Sequence, residues 1–428
     1  MGKVTRPTRA AVWALILCLL ATPAGAGKVA ASLPHVVETP NYHVETDISE
    51  QFAEVIGRHM EEIHKEYIQR FRDYGQPEGR YNVLVFRRDA DYRRHVPPAV
   101  YGSTGAFSSK DRLLAAHADG RTAEEVLRTL YHEGFHQFMF MSVSPDCPVW
   151  LNEGLAEYFA EATWDGERFR LGEVPTSRLR TVQKALRSGQ YVRFEKLFSL
   201  DTAAWLQNVR TDNRRADVIY AQSWSIVHFL AHGEGGRYAG MLEELIRSLS
   251  EGDGQETALQ KAFGPNVRME AFERSWAQHV RSLRPSPKAV CRDRMETLMH
   301  LAKVFNRDLR QLTGVEKLRD QIMNSSRVRW ELIRSDGRRL SSDQRARVAQ
   351  QFVCPLARDS DAPSFVVITD PPTSLPVLIC NHHPGVIIKA YYQRDAAGQV
   401  TVTVEEEVRQ LASPELKQAI STRLAQFR

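Results

Sequence analysis

Two histidines four residues apart are the residues in this sequence best suited to chemistry. His132 and His136 belong to the pattern His-Glu-x-x-His, in a stretch whose apolar residues recur at helical spacing. Residues i and i+4 of a helix lie one turn apart on the same face, so both imidazoles can reach one metal ion. Glu133 is offset from them and can face a water molecule instead. Because a catalytic zinc ion needs three protein ligands and an open position, this interpretation requires a third ligand.

A second helical pattern supplies a candidate for the third ligand. The turn-rich residues 142–148 are followed by an apolar stripe at helical spacing in residues 149–159. Glu153 and Glu157 share another face of this second helix. We expect the two helices to fold back on each other, so that Glu153 completes a His-His-Glu triad. Glu157 could then reach the outer ring nitrogen of a ligating histidine, although an exposed helix face explains it equally well.

Together the two motifs resemble those of the glu-zincins, the zinc metallopeptidases that include thermolysin and the aminopeptidases. The likeness is carried by residues 132–136 (HEGFH) and 150–156 (WLNEGLA), and the second string is very similar to the aminopeptidase sequence WLNEGFA. The layout is most similar to an uncharacterised bacterial family of predicted secreted peptidases. The resemblance extends over about residues 40–240, and the last third of the chain lies outside it.

The resemblance implies zinc-dependent hydrolysis of peptide bonds. One zinc ion per chain would be bound by His132, His136 and Glu153, and Glu133 would act as the general base that activates the zinc-bound water. Tyr220 begins a Tyr-x-x-Ser string in a later amphipathic pattern. By the same resemblance it would be a second catalytic residue, donating to the oxyanion of the tetrahedral intermediate. A buried structural tyrosine is an equally good interpretation.

The resemblance also suggests where a peptide or protein substrate would bind. In glu-zincins the strand before the active helix is commonly a sheet edge onto which an extended peptide adds. By resemblance, Leu113, Leu114, Ala115 and Ala116 would hold the substrate backbone. The aminopeptidases anchor the free amino terminus with a Gly-x-Met-Glu-Asn string, whereas residues 105–109 contain no acid. This difference favours an endopeptidase.

The patterns in the rest of the chain predict an α+β protein. Residues 27–120 indicate a small mixed sheet with one long helix, and residues 121–284 indicate a helical part that contains both motifs. We expect these two parts to form a zincin-like catalytic unit. A proline-containing linker then leads to residues 288–428, which we interpret as a C-terminal α+β accessory domain that could bind a protein partner.

The N-terminal residues 1–26 have the three parts of a secretory signal peptide, namely basic residues, an apolar run and small residues. This predicts an exported protein, periplasmic or secreted, that is cleaved near Ala26. The apolar run is too short for a membrane span, and no later stretch is long and apolar enough for one. Cleavage would lower the net charge from +5 to about +2. So small a charge argues against a nucleic-acid partner.

Four cysteines would remain after cleavage, and an oxidising compartment would allow three pairings of them. We favour Cys147 with Cys291 and Cys354 with Cys380. A free thiol at Cys147 near the metal is the competing hypothesis.

Two other functions fit the same sequence. The chain could be a catalytically inactive zincin-like protein that acts as an envelope binding module, although an intact Glu133 argues against this because a structural zinc site needs no base. It could also be a non-enzymatic envelope protein whose two helices merely pack together. A purified protein without bound metal would favour the last hypothesis.

Overall fold

The computed structural model describes most of residues 33–290 and four later strands. The described ranges are 33–71, 79–109, 112–119, 121, 123–164, 168–265, 268–286, 289–290, 365–368, 375, 377–383, 386–394 and 400–408. The predicted signal peptide lies outside these residues, as do Cys291 and Cys354, so neither predicted disulfide is tested. None of the helices in the described part of the chain is both long and apolar enough to cross a bilayer.

The first part of the chain forms a five-stranded mixed sheet. The strands lie in the order β1-β2-β3-β5-β4, in which β2, β3 and β5 are parallel to one another and the outer strands β1 and β4 are antiparallel to their neighbours. Strand β3 is buried along nearly its whole length, as its almost continuous apolar run predicts for a central strand. The strands are β1 His35–Glu38, β2 Tyr42–Thr46, β3 Tyr81–Phe86, β4 Gly105–Ser108 and β5 Leu113–His117.

Two long helices, α1 (Glu50–Phe71) and α3 (Ala123–Phe138), pack against this sheet, and the short helix α2 (Asp89–Tyr92) lies between them in sequence. The two long helices approach each other closely at Gly134. A Cβ atom there would lie 2.9 Å from the Met60 side chain, so the glycine allows α1 and α3 to touch. The close contact sets the distance between α1 and α3, the helix that carries both histidines.

The part of the chain that follows the sheet is helical and is built around α8 (Asn213–His232), which is buried along most of its length. Helix α4 packs directly on α8, because a Cβ at Gly154 would lie 2.6 Å from the backbone oxygen of Ser223. The elements are α4 Val149–Ala160, β6 Thr163–Trp164, β7 Phe169–Arg170, α5 Thr176–Ser188, α6 Phe194–Phe198, α7 Thr202–Thr211, α8 Asn213–His232, α9 Ala239–Ser250, α10 Gln255–Phe263 and α11 Met269–Ser282.

The chain divides into two compact units after Pro285, residues 165–167 aside. In the second unit the structure describes a four-stranded antiparallel sheet in the order β11-β10-β9-β8. Its strands are β8 Phe365–Ile368, β9 Val377–His383, β10 Val386–Arg394 and β11 Val400–Val408. The predicted α+β fold class is confirmed, since a mixed sheet, a helical part and a separate β-rich region are all present.

Candidate metal centre

Helices α3 and α4 carry the residues that could bind a metal. Helix α3 ends in a π-helical turn, Met139–Val143, after which the chain reverses and α4 begins after Pro148. The reversal packs α4 against α3. It places Glu153 opposite the two histidines, in a group whose members are all buried: His132, His136 and Glu153.

The three potential ligand atoms form a compact triangle. The Nε2 atoms of His132 and His136 are 3.0 Å apart. Glu153 Oε2 lies 3.4 Å from the first of these nitrogens and 3.7 Å from the second. Ligand atoms at about 2.0–2.1 Å from a tetrahedral zinc ion are separated by about 3.3 Å. The spacing therefore fits one zinc ion, with a fourth position open.

Both histidines have a polar neighbour at the outer ring nitrogen. His136 Nδ1 lies 3.0 Å from Asn152 Oδ1, which can only accept, so Nδ1 carries the proton and Nε2 presents its lone pair to the centre of the triangle. His132 Nδ1 lies 3.8 Å from Glu157 Oε2. Glu157 is buried, so the exposed-face interpretation of this residue is wrong. The carboxylate of Glu157 therefore lies beside His132 within the core, and its role there stays a prediction.

The charges around the triangle are unbalanced. Four carboxylates are buried here, those of Glu133, Glu153, Glu157 and Glu161, and two partly buried arginines, Arg128 and Arg178, make ion pairs with the last two. With all four acids ionised, two negative charges remain, which one divalent cation would neutralise. This count applies with the ion bound, since burial alone raises the pKa values of Glu133 and Glu157 and favours their neutral forms.

The pKa values of the buried groups show how strongly the surroundings act on them. Burial raises the pKa of Glu133 to about 8 and that of Glu157 to about 7. Burial also lowers the pKa of His132 to about 4. Burial opposes ionisation of Glu153 as well, but its contacts with the two histidines lower the pKa of this carboxyl. Glu153 is therefore the acid in the group that is best kept ionised, as a metal ligand must be.

Glu133 is the most weakly hydrogen-bonded acid of this buried group. The residue is 0% exposed, and neither carboxylate oxygen makes a well-formed hydrogen bond to a described residue, although the backbone N–H of Phe107 is near enough to act against the rise in its pKa. Strand β4 passes directly beside it, because a Cβ at Gly105 would lie 3.3 Å from Glu133 Cγ. A carboxylate in this position, next to the ligand triangle, is suited to accept a proton from a bound molecule such as water.

The structure corrects the prediction for the substrate-binding strand. Leu113, Leu114, Ala115 and Ala116 lie in β5, which pairs with β3 on one side and with β4 on the other. Both backbone edges of β5 are used within the sheet, so these residues cannot add a peptide strand. The strand beside Glu133 with one described neighbour only is β4. The sequence could not show this, because strand order depends on how the β4–β5 hairpin folds against the sheet.

Tyr220 is buried beside the triangle, which fits both the catalytic and the structural interpretation of this residue. Helix α8 places its hydroxyl 3.4 Å from Glu153 Oε1, and the residue is buried. It can therefore donate to the ligand carboxylate, and it belongs to the same site. Cys147 is not one of the three grouped ligands, and its Sγ lies 3.8 Å from the carbonyl oxygen of Pro148. The hypothesis of a free thiol at Cys147 near the metal stays a prediction, because Cys291, its predicted partner, lies outside the described residues.

Asn152, Arg128 and Arg178 were missed by the sequence analysis. Asn152 had a usable signal, because it directly precedes Glu153 in the second motif and an amide is a common partner for a ligating histidine. The two arginines had none. Each belongs to an ordinary polar helix face, and only the packing of helices brings it to the buried acids.

Comparison with known proteins finds a family match over the part of the chain that carries the triangle. A family model described as a protein of unknown function (DUF1570) matches residues 126–250. No curated protein matches the chain. The matched segment runs from α3 to the end of α9 and includes His132, His136, Glu153 and Tyr220. Over this segment the chain is similar to DUF1570.

Proposed function

We propose that this protein is a zinc-dependent hydrolase of peptide bonds, an endopeptidase. The observation that carries the proposal is the triangle of His132, His136 and Glu153 with a buried, weakly hydrogen-bonded Glu133 beside it. A structural zinc site requires only the ligands. A weakly hydrogen-bonded carboxylate at this point costs folding free energy, and a role as proton acceptor accounts for its presence.

The residues of the chain would divide the work as follows. Zinc held by the triad would supply Lewis acidity and lower the pKa of a water molecule. Glu133 would take the proton from that water and pass it to the amine that leaves. Tyr220 is proposed to donate its hydroxyl proton towards the scissile carbonyl oxygen as negative charge develops there. Asn152 would hold His136 in the tautomer that leaves Nε2 free for the metal.

A substrate would lie along β4 rather than β5. Strand β4 is next to Glu133 and has a described neighbour on one side only, so its other edge can pair with an extended peptide. Residues 105–109 contain no acid that could bind a free amino terminus. Both features support cleavage within a chain over removal of its first residue.

We also propose that the mature protein is exported, to the periplasm or beyond the cell, on the evidence of the signal-peptide pattern in residues 1–26. The C-terminal unit is proposed to bind a protein partner. Neither proposal is needed for the chemistry.

The alternative is an inactive zincin-like protein that acts as a binding module. The observation that favours it is burial: His132, Glu133 and His136 are 3%, 0% and 1% exposed. A substrate could reach such a site only after the surrounding structure moves. A structural zinc ion would need no such movement.

The variant Glu133→Gln separates the two functions. We expect zinc-loaded wild type to cleave members of a quenched fluorescent peptide library. Glu133→Gln should keep its zinc and lose about 10²–10⁴-fold in rate, because an amide cannot accept the proton. Glu62→Gln, a change in an acid of α1 that pairs with Lys65 on the surface, is the matched control and should leave the rate unchanged. Turnover retained by Glu133→Gln would refute the assignment of the base, and a zinc-loaded wild type that cleaves nothing would favour the binding module.

A further inference from the structure

A network of two buried acids and two partly buried arginines adjoins the proposed metal centre on the side of His132. Arg178 of α5 pairs through Nη2 with Glu157 Oε2, and its Nε lies 3.4 Å from Glu161 Oε1. Arg128 of α3 pairs with the same oxygen of Glu161. The network, formed by Arg128, Glu157, Glu161 and Arg178, therefore connects α3, α4 and α5.

The network reaches a proposed metal ligand through one atom. Glu157 Oε2, the oxygen that contacts Arg178, is also the oxygen that lies 3.8 Å from His132 Nδ1. This separation is about 1 Å longer than a hydrogen bond, so a small rotation of the carboxylate about its contact with Arg178 would close it. Arg178 thus determines where the carboxylate nearest to the outer nitrogen of His132 lies.

The acids would not hold this position without the arginine. Glu157 lies in the last turn of α4 and Glu161 directly follows the helix, so the two acids are four residues apart, a spacing at which like charges repel each other. Both are buried, with side chains 2% and 6% exposed, so water screens the repulsion little. Arg178 contacts both carboxylates with different nitrogens of one planar guanidinium, which fixes their separation as well as their charge.

We propose that Arg178 is a positioning residue that holds Glu157 against the outer nitrogen of His132 and thereby strengthens zinc binding. The inference rests on the proposed metal centre, but not on peptidase activity. Carboxylates at the outer nitrogen of a ligating histidine fix the ring and increase its basicity, and their loss commonly weakens metal binding about 10–100-fold. Arg178 acts through Glu157 and does not itself touch the ligand triangle.

The test is a double-mutant cycle on zinc affinity. Dissociation constants would be measured by competition with a chromophoric chelator for wild type, Arg178→Ala, Glu157→Ala and the double variant. Each single change should weaken binding about 10–100-fold, and the double variant should be no weaker than Glu157→Ala alone, because the two residues act in series. Arg187→Ala, an exposed arginine at the last turn of α5, is the matched control and should bind zinc as wild type does.

Several outcomes would overturn the inference. One is an Arg178→Ala variant that binds zinc within twofold of wild type, and another is a pair of losses that multiply in the double variant. Arg178→Lys keeps the charge without the two-point contact, and should be intermediate. If Arg178→Ala does not fold, Arg178→Lys provides the test. A zinc affinity of Arg178→Lys equal to that of wild type would show that Arg178 has a purely structural role and would overturn the inference. A wild type that binds no zinc refutes this inference and the metal centre together, whereas zinc binding without cleavage refutes the peptidase alone.

Discussion

The contact between α4 and α8 makes a quantitative prediction for Gly154→Ala. A Cβ at this residue would lie 2.6 Å from Ser223 O and 2.8 Å from Val227 Cγ2. One of these atoms is backbone and cannot rotate away, so α8 must move by about 0.8 Å to reach an ordinary van der Waals distance. Overpacking of this kind costs about 1–3 kcal/mol. The better helix propensity of alanine returns up to about 1 kcal/mol, so we expect a net destabilisation of up to about 2 kcal/mol relative to wild type.

The same change should affect the metal centre. Glu153 precedes Gly154 on α4, and Tyr220 lies on α8 with its hydroxyl 3.4 Å from the Glu153 carboxylate. Separation of the two helices would lengthen this contact and weaken zinc binding. The assay is the urea midpoint of unfolding, measured with and without zinc.

Gly240→Ala provides the control for Gly154→Ala. Gly240 lies in α9, and a Cβ there would meet nothing within 4 Å. This variant should be as stable as wild type or more stable, by up to about 1 kcal/mol. Because both variants gain the helix propensity of alanine, Gly154→Ala should be about 1–3 kcal/mol less stable than Gly240→Ala, and equal stabilities would refute the close packing of α4 on α8.

Two further predictions concern single side chains. Asn152→Ala should weaken zinc binding about 10–100-fold, because His136 Nδ1 loses its hydrogen-bond acceptor. Asn152→Asp keeps an acceptor and should bind zinc more tightly than the alanine variant. Equal zinc affinities of the two variants in chelator competition would show that the contact is irrelevant. The second concerns His64, a buried residue whose Nδ1 lies 3.2 Å from the hydroxyl of Tyr42 and whose pKa is lowered by burial from 6.5 to about 4. The unfolded chain binds the proton more readily, so this residue stabilises the fold above pH 6.5 and loses about 2 kcal/mol of that contribution between pH 7 and pH 5. In urea unfolding at the two pH values, His64→Gln should lose correspondingly less stability than wild type, and an equal loss in both proteins would contradict the prediction.

The parts of the site that sequence predicted are those with local geometry. The i, i+4 spacing of His132 and His136 fixes their relation on one helix before any tertiary contact forms. The short reversal after α3 leaves α4 few places to pack, so Glu153 could be placed as well. The α+β class was also predicted correctly, because apolar patterns of helices and strands are local.

What sequence could not give depends on contacts between distant segments. The assignment of substrate binding to β5 was wrong because the hairpin places β4 at the edge of the sheet, beyond β5. Local sequence patterns do not determine the order of strands in a sheet. Burial of Glu157 and its pairing with Arg178 depend on the packing of α5 against its neighbours. A polar residue on a helix is predicted to be exposed to solvent unless the segment that packs over it is known.

The central claim is that this chain binds one zinc ion through His132, His136 and Glu153. Elemental analysis of the purified mature protein, with wild type and His136→Ala at matched concentration, tests it most directly. We expect about one zinc per chain in wild type and a loss of that zinc in the variant, because two remaining ligands bind the ion weakly. No zinc in wild type after zinc has been supplied, or unchanged zinc in His136→Ala, would contradict the claim.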